Sequence, residues 1–141
     1  MTADDGELAQ QLIAEAKTIA VVGANADPTR ASNEIAQYLI EAGYEVYLVN
    51  PAEVDHEILG RKVYARLQDV PAEIDIVDVF RRPQFISEVV AEAIEAGAKV
   101  VWTQLAIVNE EAAETARTAG LDVVMDRCTK IEHARMLRGG V

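Results

Sequence analysis

The sequence predicts a doubly wound α/β domain, a mostly parallel five-stranded sheet with helices on both faces. Three observations carry this. Five short apolar runs, Thr18–Val22, Glu45–Val49, Ile74–Phe80, Lys99–Thr103 and Asp122–Met125, recur about every two dozen residues. Each is rich in Val, Ile or aromatics, as strands buried on both faces are. The stretches between them change to helical periodicity, and alternating strands and helices make a parallel sheet.

Taken in order, a first helix is expected from about Asp5 to Ala16, within a leading segment 1–16 that precedes the core at 17–137. After the first run, Ile35, Leu39 and Ile40 form an apolar stripe, with Ser32 as the expected N-cap and Gly43 as the stop. Between the second and third runs the pattern weakens. Asn50 to Pro71 reads as loop, with an extended piece at Val63–Tyr64 and a turn at Leu67–Val70. Phe85, Val89, Val90 and Ile94 make the next stripe, ending at Gly97. Asn109 caps a further helix with Glu110 and Glu111 in its first turn, where carboxylates suit the helix dipole, and Gly120 closes it. A short helix begins near Ile131, and 138–141 is a tail. Right-handed crossovers then give a Rossmann-like, three-layer αβα arrangement with order 3-2-1-4-5, the winding reversing between runs 1 and 4.

Composition narrows the function. The 141 residues (15.3 kDa) suit one domain, and no linker, repeat or charge run divides them. Half the residues are apolar and mean hydropathy is +0.05, which excludes a disordered chain. The apolar runs are too short to cross a bilayer. The start MTADDGELAQQ is acidic and lacks the pattern of a secretory signal. The lone Cys128 cannot form an internal disulfide, so a cytoplasmic location is expected. Thirteen Lys and Arg against 24 Asp and Glu give a net charge of −11. That charge repels nucleic acid and anionic lipid, so neither nucleic acid nor membrane is an expected partner. A small anionic ligand needs a local cluster of donors.

In doubly wound sheets, ligands sit beyond the carboxyl ends of the strands. After the first run stands Gly23-Ala24-Asn25-Ala26-Asp27-Pro28-Thr29-Arg30-Ala31-Ser32. Gly23 admits positive φ and close approach by a ligand, and the following helix start favours a phosphate. After the third run stands Phe80-Arg81-Arg82-Pro83, an arginine pair with a proline suited to a helix's first turn. Thr103-Gln104 follows the fourth run, and Arg127 and Lys130 follow the fifth. The basic residues thus gather just beyond strand ends, while the helices are lined with Glu. The dinucleotide fingerprint is absent, since the next glycine after Gly23 is Gly43. The acid that would hold a ribose diol at the second strand's end is absent too, with Asn50-Pro51 in its place. Both absences disfavour NAD, and the missing Walker motif disfavours ATP.

The stretches IAVVGANADPTRASNEIAQYL, GYEVYLVNP, EILGRKVYARLQDVP, DIVDVFRRP, GAKVVWTQL and VVMDRCTKIEHARML span Thr18 to Leu137. With them the chain resembles the small stand-alone CoA-binding proteins, relatives of the CoA-binding domain of succinyl-CoA synthetase α subunits. The resemblance implies a Rossmann-type fold and binding of coenzyme A or an acyl-CoA. It implies phosphate contacts at Gly23, Ala24, Asn25, Arg30 and Ser32. It adds Asn50 and Pro51 after the second strand, and Phe80, Arg81, Arg82 and Pro83 after the third. Thr103 and Gln104 match the turn near the pantetheine path. Two positions depart from the pattern: Ala52, Glu53 and Val54 stand where a lysine commonly meets a phosphate, and Ala106 stands where glycine is common.

Signals for catalysis are sparse. Succinyl-CoA synthetase uses a phosphorylated histidine from outside its CoA-binding domain. Here His133 with Glu132 reads either as a base with its orienting group or as a packed pair, and His56 lies in a loop. Asp75 and Asp78 flank the third run as a strand-edge residue and a polar group near the site. No metal-ligand or Ser-His-Asp pattern is present. Cys128, between Arg127 and Lys130, reads as a buried cysteine or as a thiolate able to form a mixed disulfide with CoA. The leading expectation is non-enzymatic CoA binding. The alternatives are a partner-dependent acyl-CoA ligase or transferase component and a nucleotide- or NAD-sensing domain. An apolar helix face leaves a homodimer open.

Overall fold

The computed structural model describes residues 5–139. Residues 1–4 of the leading segment and residues 140–141 of the expected tail lie outside the described residues. Strands β1 (Thr18–Val22), β2 (Glu45–Val49), β3 (Glu57–Ile58), β4 (Arg61–Tyr64), β5 (Ile76–Val79), β6 (Val100–Thr103) and β7 (Asp122–Val124) form one sheet. The helices are α1 (Asp5–Glu15), α2 (Ala31–Glu41), α3 (Ile86–Glu95), α4 (Glu110–Thr118) and α5 (Thr129–Leu137).

Alternation along each strand sorts the helices into two layers. On β1, Ala20 and Val22 join the core with Ile86, Val89, Val90 and Ala93 of α3 and Ala112, Ala113 and Ala116 of α4. Ile19 and Val21 face the other way, into Ala9 and Ile13 of α1 and Ile35, Ala36 and Leu39 of α2. Helix α5 lies on this second layer beside α1 and α2. Side chains on successive strand residues point to opposite faces, so one apolar strand supports both layers. The three-layer Rossmann-like class follows the sequence expectation.

The strand count and order do not. The sheet has seven strands rather than five, ordered β3-β4-β2-β1-β5-β6-β7, with β3 antiparallel to β4 and the remaining pairs parallel. The short piece around Val63–Tyr64 is a full strand, β4, which pairs with β2 through Leu48↔Val63 and Val49↔Tyr64. It takes the outer place expected of the third run. That run, β5, pairs instead with β1, from Ile19↔Ile76 to Val22↔Val79. The winding therefore reverses between β1 and β5. β4 was faint in the sequence because only Val63 of its four residues is buried, while Arg61 and Lys62 carry charge near the sheet's edge.

Smaller differences follow from packing. Ser32 is not the N-cap of α2. Arg30 holds that position in extended backbone without a side-chain capping bond, and Ser32 is buried in the first turn. Phe85 belongs to a 3-10 turn, Pro83–Phe85, that leads into α3, and Ile94 lies on the exposed side of that helix. Asn109 caps α4 as expected, its side-chain oxygen accepting from the Ala112 N–H at 3.0 Å.

Candidate functional site

The reversal point brings the β1 and β5 ends into direct contact. Gly23 leaves β1 with φ of +90°, and a Cβ there would lie 2.9 Å from the Phe80 carbonyl oxygen and 3.4 Å from Cγ of Arg81. Glycine is required twice, by the left-handed backbone and by this approach. The turn lets the N–H groups of Gly23 and Ala24 both reach the Val49 carbonyl, at 2.9 and 3.4 Å. The Phe80 N–H donates to the Val22 carbonyl at 2.9 Å, so the two strand ends are tied on both sides of the glycine.

The loop from Gly23 to α2 is held from within. Asn33 donates through its side chain to the Asn25 carbonyl at 2.9 Å. The Asn25 side chain accepts from the Asp27 N–H, and Asp27 accepts from the backbone and hydroxyl of Thr29. Those Thr29 bonds hold the Asp27 carboxyl below its ordinary value. Asn50 closes the same loop from β2: its amide donates to the Ala24 carbonyl at 2.8 Å, and its oxygen accepts from the Ala52 N–H at 3.0 Å. Asn50 thus spends both halves of its amide on shaping the edge.

Two clefts flank this contact. One, of about 210 Å³, is lined by Gly23, Asn25, Arg30, Ala31, Ser32 and Phe80. It opens onto the first turn of α2, whose leading N–H groups have no helical partner and whose dipole is positive. The second, of about 230 Å³, lies between the ends of β1, β2 and β4; Gly23, Asn50, Pro51, Ala65, Arg81 and Glu92 are among its walls. Gly23 is shared by both.

The arginines differ in how free they are. Arg30 and Arg82 are exposed, and the Arg82 side chain has no partner among the described residues. The Arg81 guanidinium stacks 4.4 Å above the Phe85 ring and lies 3.6 Å from Glu88. Arg127 turns inward. It pairs with the fully buried Glu132 at 3.1 Å, with Arg135 on the same carboxylate at 3.0 Å. Lys130 pairs with Glu34 and lies over the Tyr38 ring. The arginines that line the clefts are therefore Arg30 and Arg81, with the exposed Arg82 next to Arg81 in the chain. Pro83 opens the 3-10 turn behind them, and its carbonyl accepts from Asn109 at 3.0 Å.

Thr103 and Gln104 are buried. The Thr103 hydroxyl donates to the Ile107 carbonyl at 2.6 Å and accepts from the Asp126 N–H at 3.2 Å. The Gln104 amide donates to Asp78 at 2.5 Å and reaches Thr129 at 3.2 Å, and the Thr129 hydroxyl donates to Asp78 at 2.9 Å. Complete burial pushes the Asp78 carboxyl up to about 7, although both hydrogen bonds favour its charged form. Ala106 adopts φ of +66°, the backbone a glycine would take without strain, and its N–H donates to Asp126 at 2.6 Å.

The histidines lie apart from the clefts. His56 is exposed and bound to Glu53 at 2.8 Å. His133 is buried against Tyr38 and Tyr44, its Nδ1 2.7 Å from the Tyr38 hydroxyl, and burial lowers its pKa. Its partner is therefore Tyr38, while Glu132 serves the arginines. Cys128 is buried with Ile19 and Trp102 in the core. Among the described residues no cluster of His, Cys, Asp or Glu could hold a metal ion, and no helix is long and apolar enough to cross a membrane. Glu92 was missed from the sequence because nothing separates it from the other helical glutamates.

Fold and edge together define a Rossmann-like α/β protein whose carboxyl edge offers a positive-φ glycine turn, an uncapped helix start and arginines. The family described as CoA binding domain matches residues 17–134, and the chain belongs to it. It is 40% identical to the uncharacterized protein YneT of Bacillus subtilis over 125 residues, 89% of this chain and 91% of that protein. It is 38% identical over 89 residues to the alpha subunit of the ADP-forming acetate–CoA ligase I of Pyrococcus furiosus, 60% of this chain but 19% of that protein. The structure of a hypothetical protein from Pyrococcus horikoshii superposes with a TM-score of 0.89 at 42% identity, over 97% of each chain.

Proposed function

We propose that this chain binds coenzyme A or an acyl-CoA at the carboxyl edge and performs no chemistry on it alone. The observation that carries the reading is the Gly23–Phe80 contact. It holds bare backbone beside the first turn of α2, with Arg30 on one side and Arg81, followed in the chain by the exposed Arg82, on the other. A pyrophosphate laid over Gly23 meets helix N–H groups and guanidinium charge together. The placement of both histidines away from the clefts supports binding without turnover. Thr103 and Gln104 act here as buried supports of the β6 turn.

A thermal-shift panel of CoA, acetyl-CoA, NAD, NADP and ATP tests the reading. Ligand at 100-fold its Kd adds about 2.7 kcal/mol of stability. We expect CoA and acetyl-CoA to raise the melting temperature by clearly more than NAD, NADP or ATP. Equal shifts for all five, or none for CoA, would refute it.

A further inference from the structure

The cleft between the ends of β1, β2 and β4 holds a group that the proposed function does not use. About half of its wall is apolar, from Val22, Val49, Pro51, Ala52 and Ala65. Its volume, about 230 Å³, is below the ~300–1,000 Å³ of a whole-ligand pocket, so it takes a fragment. Asn50 is held in place by one hydrogen bond through each half of its amide, to Ala24 and from Ala52. Arg81 is drawn toward Phe85 and Glu88. Glu92 remains. One of its carboxylate oxygens accepts from the Leu67 N–H at 3.2 Å, which ties this α3 side chain to the turn that begins at Leu67. The other oxygen has no partner among the described residues. In many doubly wound sheets an acid at the end of the second strand takes the ribose hydroxyls. Here that position is Asn50-Pro51, and an acid from the opposite wall faces the same space.

We propose that Glu92 is the specificity-determining acceptor of the edge, its second carboxylate oxygen taking a hydrogen bond from a neutral donor, a ribose hydroxyl or a base amine, on the nucleoside end of the ligand. This rests on the CoA reading above. A carboxylate repels phosphate, so the phosphates belong in the neighbouring cleft at the start of α2, on the far side of Gly23. The apolar part of the wall suits a flat ring, and the Glu92 oxygen selects for a donor on it. A hydrogen bond to a charged group in a partly open cleft corresponds to roughly tenfold in affinity or more.

The test titrates wild type and Glu92→Gln with ADP, inosine diphosphate, 2′-deoxy-ADP, phosphopantetheine and CoA. Glutamine retains an oxygen for the Leu67 N–H, and an unchanged melting temperature checks that the fold is intact. We expect wild type to prefer ADP at least tenfold over inosine diphosphate if the base amine is the donor, or over 2′-deoxy-ADP if the ribose is. In Glu92→Gln that preference falls to within about twofold, and CoA binds more weakly. Equal preferences in the two proteins would overturn the assignment, as would a Glu92 effect seen with phosphopantetheine alone. If CoA binds both proteins equally, the Glu92 assignment fails and the CoA reading stands. If ADP is discriminated through Glu92 while CoA does not bind, the CoA reading fails and the nucleoside contact stands.

Discussion

The two edges of the sheet are built from the same strands and are chemically opposite. At the amino edge, Asp75 accepts from the N–H groups of Lys17 and Thr18 at 2.8 and 3.1 Å and pairs with Lys99 at 3.1 Å. Glu15, Glu45, Glu73 and Asp122 crowd the surrounding clefts. At the carboxyl edge the backbone is bare at Gly23, and Arg30 and Arg81 line the clefts beside it, with Glu92 the one carboxylate among their lining residues. The amino-edge clefts are as large, up to about 440 Å³. Cavity size therefore does not separate the edges; what does is whether the polar groups are already satisfied. Asp75 is occupied in closing the fold, whereas Arg30 and Arg82 are left facing solvent.

The largest expected effect falls on the contact that distinguishes the carboxyl edge. Gly23→Ala forces a Cβ against the Phe80 carbonyl at positive φ, costing about 1–3 kcal/mol in denaturant unfolding. CoA affinity should fall at least tenfold as the turn shifts. A stable, fully binding Gly23→Ala would erase the distinction between the edges.

Asp75→Ala tests the other side. Two backbone donors lose their acceptor, at a cost of about 1–3 kcal/mol, while CoA affinity by calorimetry should not change. Burial alone would raise the Asp75 carboxyl, but the N–H groups of Lys17 and Thr18 and the Lys99 ammonium outweigh it and hold the carboxyl below 3.8. Its contribution is therefore present above the unfolded value and is lost as pH falls through the folded one.

Asp78, one residue short of the carboxyl end of β5, has the opposite sign. Burial raises its folded value to about 7 from 3.8, so the folded state holds a proton that the unfolded state has released. Stability should decline from about pH 4 to 7 on its account. Asp78→Asn should flatten that part of a stability–pH profile measured by urea unfolding. An identical slope in the variant would contradict this.

The smallest effect is expected at Arg82. Arg82→Ala should weaken CoA a few-fold at low salt, with the difference shrinking near 0.15 M where screening acts within about 8 Å. Calorimetry at two salt concentrations reads this directly, and unchanged affinity at both would remove Arg82 from the site.

Much of this was legible along the chain because it depends on local chemistry. β1 and β2 were bounded in the sequence as they stand, and Asn109 announced its cap. Gly23 followed a strand with no other glycine near it. Four-residue β4 was only partly legible, as the extended piece at Val63–Tyr64, since its burial comes from β2 and a charged strand carries no strong period. The roles of Arg127 and Arg81 also escaped: position after a strand end says where a long side chain starts, not which carboxylate or ring it meets.

The class of fold, the main helices and five of the strands, and the edge where glycine and arginine gather could be read from local pattern alone, because periodicity and turn chemistry act over a few residues. That β5 lies beside β1, that Phe80 closes on Gly23 and that Glu92 faces the cleft emerged with the packed fold. Those pairings join residues far apart in the chain. They are selected by which strands and helices bury each other, a choice that no local pattern encodes.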